Sequence, residues 1–157
     1  MVIYMKKYTR LRGNHGVAKK KGTRKKRGSL ISFEKEITSK FLQMLMSIKL
    51  FHWKTHSFAT HEATDHLYEH LNEHVDKFVE VLLGKTQHRV MLNTKCLPLH
   101  ECNNANSFKL LIERYKGYLV NLDHHPGLAT MSNTDLYNIR DEILGDMNKL
   151  LYLMSFK

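Results

Sequence analysis

Cysteine is scarce in this 157-residue chain: Cys96 and Cys102 are the only two, too few for a disulfide framework and in keeping with a reducing compartment. No apolar run approaches the roughly 20 residues of a membrane span. The N-terminus has no apolar core behind its charges and does not read as a secretory signal. It is poor in acids and rich in Lys and Arg, a composition shared with organelle transit peptides. The expectation is a soluble, intracellular protein without a membrane partner. Acidic residues are missing altogether from residues 1–30, which hold eleven Lys or Arg. Residues 31–157 carry fourteen basic and fifteen acidic residues, so the net charge of +10 belongs to the tail and the body is near neutral.

Such a distribution suggests a tethered basic arm for a polyanion, most simply DNA or RNA. Residues 1–30 have no sustained apolar period and are expected to be disordered. Their clusters Lys19-Lys20-Lys21 and Arg24-Lys25-Lys26-Arg27 are the candidate phosphate contacts. A solubilising tail or a nuclear-import signal uses the same composition. Association with a nucleoid or a nucleus is the localisation this implies.

From residue 31 onward the pattern is helical. Ile37, Phe41, Met44, Leu45 and Ile48 recur at steps of three and four, and His52 continues that face. The spacing predicts a first helix over about 31–55, with Ser32 as N-cap and Glu34 and Glu36 in its first turn. A second is predicted over about 58–83, capped by Ser57 or Thr60 and closed by Gly84. Leu67, Leu71, Val75, Phe78 and Leu82 form its core stripe. Residues 85–105 make a long connection. A third helix is predicted over about 107–122, and a fourth begins near Ser132–Asp135 after the breaker Asp123–Gly127. Four amphipathic helices with one long middle connection describe an all-α four-helix bundle over 31–157 whose second and third helices run parallel.

The densest set of histidines and carboxylates falls between Phe51 and Glu80. On a wheel of about 100° per residue, His61, Asp65, Asp76 and Glu80 border the apolar stripe of the second helix, and His52 points toward the same layer. Polar groups at such a boundary are costly unless they coordinate something or are solvated. Mixed nitrogen and oxygen donors suit iron or zinc, and the carboxylate-rich set leans toward iron. No glutamate is followed three residues later by histidine, so the usual di-iron motif within one bundle is missing. Ordinary helix-surface polarity, with Glu73 and Lys77 supplying pairs, is the competing account of the same spacing.

The stretch 51–80 resembles the Dps family, the mini-ferritins known as DNA-binding proteins from starved cells. The matching residues are His52-Trp53, His61-Glu62-Ala63-Thr64-Asp65 and Asp76-Lys77-Phe78-Val79-Glu80, with Leu67-Tyr68 between them. The fourth helix is also similar to the family's last. The interval from His52 to His61 is three residues shorter than is usual there, and the connection around CLPLHECNN lacks the family's features. The resemblance implies a ferritin-like fold and a ferroxidase centre shared across a two-fold interface. His52, His61 and Asp65 would come from one subunit, and Asp76 and Glu80 from another. Fe(II) would be oxidised there, by peroxide in preference to dioxygen. A homo-oligomer follows, a dimer at least and up to a hollow dodecamer, with the basic tail on DNA. The alternative is a non-enzymatic, basic-tailed bundle that binds or packages nucleic acid around a vestigial or zinc-occupied site.

Two further constellations stand out. His66, His70 and His74 lie at i, i+4 and i+8 on what reads as a solvated face, where adjacent pairs could take zinc or nickel. Cys96, His100 and Cys102 supply three zinc-type donors without an evident fourth. Glu113, Asp141, Glu142 and Asp146 read as ordinary surface or pore-lining acids.

Overall fold

The computed structural model describes residues 21–92, 96–129 and 131–156. Four helices, α1 (Lys21–Lys54), α2 (Phe58–Thr86), α3 (Ala105–Val120) and α4 (Thr134–Leu153), follow one another, with a 3₁₀ turn at Asn121–His124. No strand occurs among the described residues. None of the helices is long and apolar enough to cross a membrane.

The ion pairs and ring contacts give the directions of the helices. On α2 and α4, Lys85 meets Asp135 while His70 meets Asp146, so the two run antiparallel. On α1 and α3, Phe51 stacks on Phe108 while Tyr118 reaches Glu36, again antiparallel. The three-residue turn at 55–57 folds α2 back along α1. Helices α2 and α3 therefore run parallel, as the long connection between them requires.

One core joins all four helices. Phe33, Ile37, Phe41 and Met44 from α1 are buried with Leu71 and Phe78 from α2, Phe108 and Ile112 from α3, and Ile143 and Met147 from α4. Phe41 and Phe78 meet edge to face at 5.1 Å between ring centroids, a favoured aromatic geometry. At one end of the bundle the turn after α3 lies so close to α1 that a Cβ at Gly127 would stand 2.5 Å from the Phe33 Cβ. Only glycine fits there.

Several boundaries differ from the sequence reading. Helix α1 begins at Lys21, so residues 21–30 are helical where disorder was expected, and Ser32 lies inside the helix instead of capping it. Lys and Arg are good helix formers, and charge alone does not keep such a segment from coiling. Residues 1–20, including Lys19 and Lys20, lie outside the described residues, as do the side chains of Lys21, Arg24, Lys25, Lys26 and Arg27. Gly84 does not close α2. The helix runs on to Thr86, and Gln87 takes the left-handed conformation at φ 56°. Helix α3 starts two residues early because Asn104 and Ser107 form a reciprocal capping box. Ser57 does cap α2, accepting from the Thr60 amide.

Candidate metal centre

The last turn of α1 and the first turns of α2 meet at the short 55–57 connection. There the rings of His52 and His61 stack at 3.8 Å between centroids. Each ring is held by the other residue's backbone: His52 Nδ1–H donates to the His61 carbonyl at 3.1 Å, and His61 Nδ1–H donates to the His52 carbonyl at 3.1 Å. A carbonyl only accepts, so both histidines carry their proton on Nδ1. In the neutral rings this leaves Nε2 of each to take a ligand, the arrangement in which a second contact fixes the tautomer of a metal-binding imidazole. Thr64 supports the arrangement. Its hydroxyl is within 3.3 Å of His52 Nδ1 and donates to the Thr60 and His61 carbonyls.

Asp65 lies one turn beyond His61 on α2, with Oδ1 3.6 Å from His52 Nε2. His52 is buried, whereas the Asp65 side chain is 43% exposed. The three predicted ligands of this half are therefore together. Lys49 stands one turn before His52 on α1. Its Nζ donates to the same Asp65 Oδ1 at 2.9 Å and lies 4.7 Å from the centre of the Tyr68 ring. The hydrogen bond from Lys49 holds the Asp65 carboxyl below its ordinary value of 3.8, partly opposed by desolvation and aided by the charge of Lys49 and, when their rings are protonated, of His52 and His61. An ammonium thus sits where a metal on Asp65 and His52 would compete with it. The sequence offered one signal for this contact: Lys49 and His52 are three residues apart on the same α1 face.

Residues 52–154 match the model of a family of unknown function, DUF5856. The chain belongs to that family. No curated protein and no solved structure matches it. The DUF5856 match opens on His52 itself and takes in the turn, α2, α3 and all of α4, so every candidate metal ligand lies within the family region.

Asp76 and Glu80 are exposed residues farther along α2. Eleven and fifteen residues from Asp65, they stand about 16 and 22 Å away along the helix axis. No single ion could join them to His52, His61 and Asp65 within one chain. Among the described residues, no set of three or more His, Cys, Asp or Glu side chains is already arranged around one point to hold a metal ion. That covers the Cys96, His100 and Cys102 constellation too. Cys102 is buried and Cys96 exposed, and burial raises the Cys102 thiol above its ordinary value. The junction of this DUF5856 chain thus offers two prepared imidazoles and one carboxylate, open on one side.

The histidine stripe on α2 is solvated as its spacing suggested at His66 and His70, whereas His74 is half-buried against α4. His70 and His74 face α4, where Asp146 and Glu142 meet them, and only His66 stays outside that contact as an exposed residue lining the neighbouring cleft. Asp146, read as a surface acid, is 19% exposed at its side chain.

Proposed function

We propose that this protein is a ferritin-like, Dps-type iron-binding protein whose ferroxidase centre is completed by a second copy of the chain. His52, His61 and Asp65 of one copy face Asp76 and Glu80 of the other, and Fe(II) is the substrate. The observation that carries the reading is the pair of Nδ1-pinned, stacked histidines, His52 and His61, with His52 Nε2 3.6 Å from Asp65 Oδ1. The exposure of Asp76 and Glu80 supports it, because a second copy can reach them. So does the antiparallel arrangement of four helices, with α2 and α3 parallel across a long connection.

Two Fe(II) ions each give one electron to peroxide. Its O–O bond breaks, and the two oxygens leave as hydroxide or, with protons, as water. The protein's part is to place carboxylates that favour Fe(III) and imidazoles that exchange readily. His52 and His61 need no proton loss to ligate, since each presents a lone pair at Nε2. Lys49 must move off Asp65 Oδ1 for iron to take that oxygen. The basic segment that runs into α1 binds DNA through phosphates, without regard to sequence.

The test is Fe(II) added to the purified protein, followed by peroxide or air, with ferric absorbance in the near-ultraviolet. A rate equal to that of buffer, unchanged by Asp76→Ala or Glu80→Ala, overturns the reading. Solution mass separates a dimer from a larger shell. A DNA mobility shift with and without residues 1–30 tests the tail, and equal binding by both removes its role.

One observation favours a second reading. The Lys49–Asp65 pair already neutralises the carboxylate at the junction, as a structural ion pair in a non-enzymatic bundle that binds or packages nucleic acid would do. That protein would shift DNA and leave Fe(II) oxidation at the buffer rate.

A further inference from the structure

A second histidine–carboxylate group lies between α2 and α4, about 13 Å along α2 from His61 at its His70 end. His70 and His74 stand one turn apart on α2, opposite Glu142 and Asp146, one turn apart on α4. The Asp146 carboxylate sits between the two imidazoles: Oδ1 is 3.2 Å from His70 Nδ1, and Oδ2 is 3.2 Å from His74 Nε2. The second nitrogen of His74, Nδ1, faces Glu142 Oε2 at 3.4 Å. Lys77 stands 3.6 Å from Glu142, and Lys149 and His66 line the adjoining cleft.

We infer that His70, His74 and Asp146 bind a borderline divalent ion of the zinc, cobalt or nickel kind, which ties α2 to α4, while Glu142 orients the His74 ring. The donor chemistry comes first. Two imidazoles and a carboxylate suit these ions, whereas calcium and magnesium take oxygen. Spacing agrees. Metal–ligand bonds of about 2.0–2.2 Å set neighbouring donors about 3 Å apart in an octahedron and about 3.3–3.6 Å apart in a tetrahedron, and the two Asp146 contacts are 3.2 Å.

An ordinary ionic clasp leaves its buried atoms hydrogen-bonded. Here His74 Nδ1 and Asp146 Oδ2 are buried and without a hydrogen-bond partner, although charged groups lie close to both. Their neighbours are near enough to share an ion and too poorly aligned to bond one another. The Glu142 contact at the far nitrogen of His74 is the carboxylate–histidine relation that sets the tautomer of a metal ligand. The side chains pair with one another instead of pointing at one centre, so binding requires the rings to turn. His70, 48% exposed, is free to do so. A cavity of about 30 Å³ bordered by His70 and Asp146 has room for the water that completes the coordination in such three-ligand sites.

The site shares no residue with the His52–His61 junction and does not rest on the ferroxidase reading. The test is calorimetric titration of the metal-free full-length chain with Zn²⁺, and with Co²⁺ read by its visible bands. The expected result is a tight step that persists in the His52→Ala/His61→Ala double variant and disappears in Asp146→Asn and in His70→Gln. Glu142→Gln should weaken it by about 10- to 100-fold, as loss of an orienting carboxylate does. Zn²⁺ should also raise the melting temperature of the His52→Ala/His61→Ala double variant and leave it unmoved when Asp146→Asn is added. His70 is half exposed, so its substitution keeps the fold if an Asp146 variant does not. A Zn²⁺ affinity unchanged in His70→Gln, or lost only when His52 and His61 are replaced, overturns the proposal.

Discussion

The two histidine–carboxylate groups on α2 differ in what holds their rings. At the junction, His52 and His61 are fixed by each other's backbone carbonyls, so the imidazoles are set before any ligand arrives. Between α2 and α4, His70 and His74 are met only by side chains, and two buried polar atoms are left unsatisfied. Backbone-held donors lose little freedom on binding, while donors held by side chains must first be reorganised. The first group should therefore be sensitive to the helix geometry around it, and the second to the loss of single side chains.

Phe51→Ala breaks the comparison most directly. Phe51 precedes His52, is buried, and stacks on Phe108 of α3 at 4.0 Å and 12° between ring planes. Its truncation should cost about 3–5 kcal/mol of stability, measured by urea unfolding. At temperatures where the variant remains folded, Co²⁺ binding at the junction should fall while Zn²⁺ binding between α2 and α4 persists. Equal loss at both would mean that the backbone-held pair has no special dependence on the end of α1.

The next effect concerns the missing half of the junction. Asp76→Ala or Glu80→Ala should lower peroxide-driven Fe(II) oxidation by about 100-fold or more, beyond the usual cost of losing an orienting group alone. Neither should alter Zn²⁺ binding at His70 and His74. The decisive version mixes chains. Co-refolding His52→Ala/Asp65→Ala with Asp76→Ala/Glu80→Ala should restore about a quarter of the wild-type rate if the centre is shared in a two-fold dimer, because half of the dimers are hybrids and each hybrid holds one intact site. No recovery would overturn the shared centre.

How far the sequence spoke depends on whether a feature is local. The apolar periods were visible because burial repeats with the helix turn, and Leu67, Leu71, Val75, Phe78 and Leu82 are all buried as read. Ser57 was visible as a cap for the same local reason. The start of α1 was not, because residues 21–30 carry no acidic first turn and their charge resembled that of a disordered arm. The His52, His61 and Asp65 set could be picked out by spacing. The pinning of both Nδ1 atoms could not, since it depends on how three connecting residues fold α2 back on α1. The ion pairs of His70 and His74 were not visible, because a wheel drawn for α2 alone does not show where α4 docks. The contact of Lys49 with Asp65 was not visible either, since a lysine's reach across helices is tertiary information.

Lys49→Met sharpens the junction side of the comparison by a smaller amount. The ammonium shares Asp65 Oδ1 with any ion bound through His52 Nε2. Replacing it should tighten Co²⁺ or Fe(II) binding at the junction by about 2- to 5-fold, the scale of a partly exposed ion pair, and leave the His70–His74 group unchanged. Weaker binding in this variant would recast Lys49 as a group that holds Asp65 in place for the metal.

The same substitution gives the smallest effect, in acid. The hydrogen bond from Lys49 depresses the Asp65 carboxyl below its ordinary 3.8 in the folded chain, so folding favours the ionised form. A depressed carboxyl contributes stability that is present above the unfolded value and is lost as pH falls through the folded value. The stability difference between wild type and Lys49→Met, from urea unfolding at a series of pH values, should be level at neutral pH and shrink only below about pH 4, where the unfolded carboxyl begins to take up its proton. Salt should reduce it, because Lys49 and Asp65 are 26% and 43% exposed and are screened by solvent. Asp65→Asn should flatten the same limb without help from Lys49→Met. A limb that survives in both variants would belong to other pairs held in the same sense, Lys85–Asp135 and Lys54–Glu101, and the junction would then contribute to binding and not to acid stability.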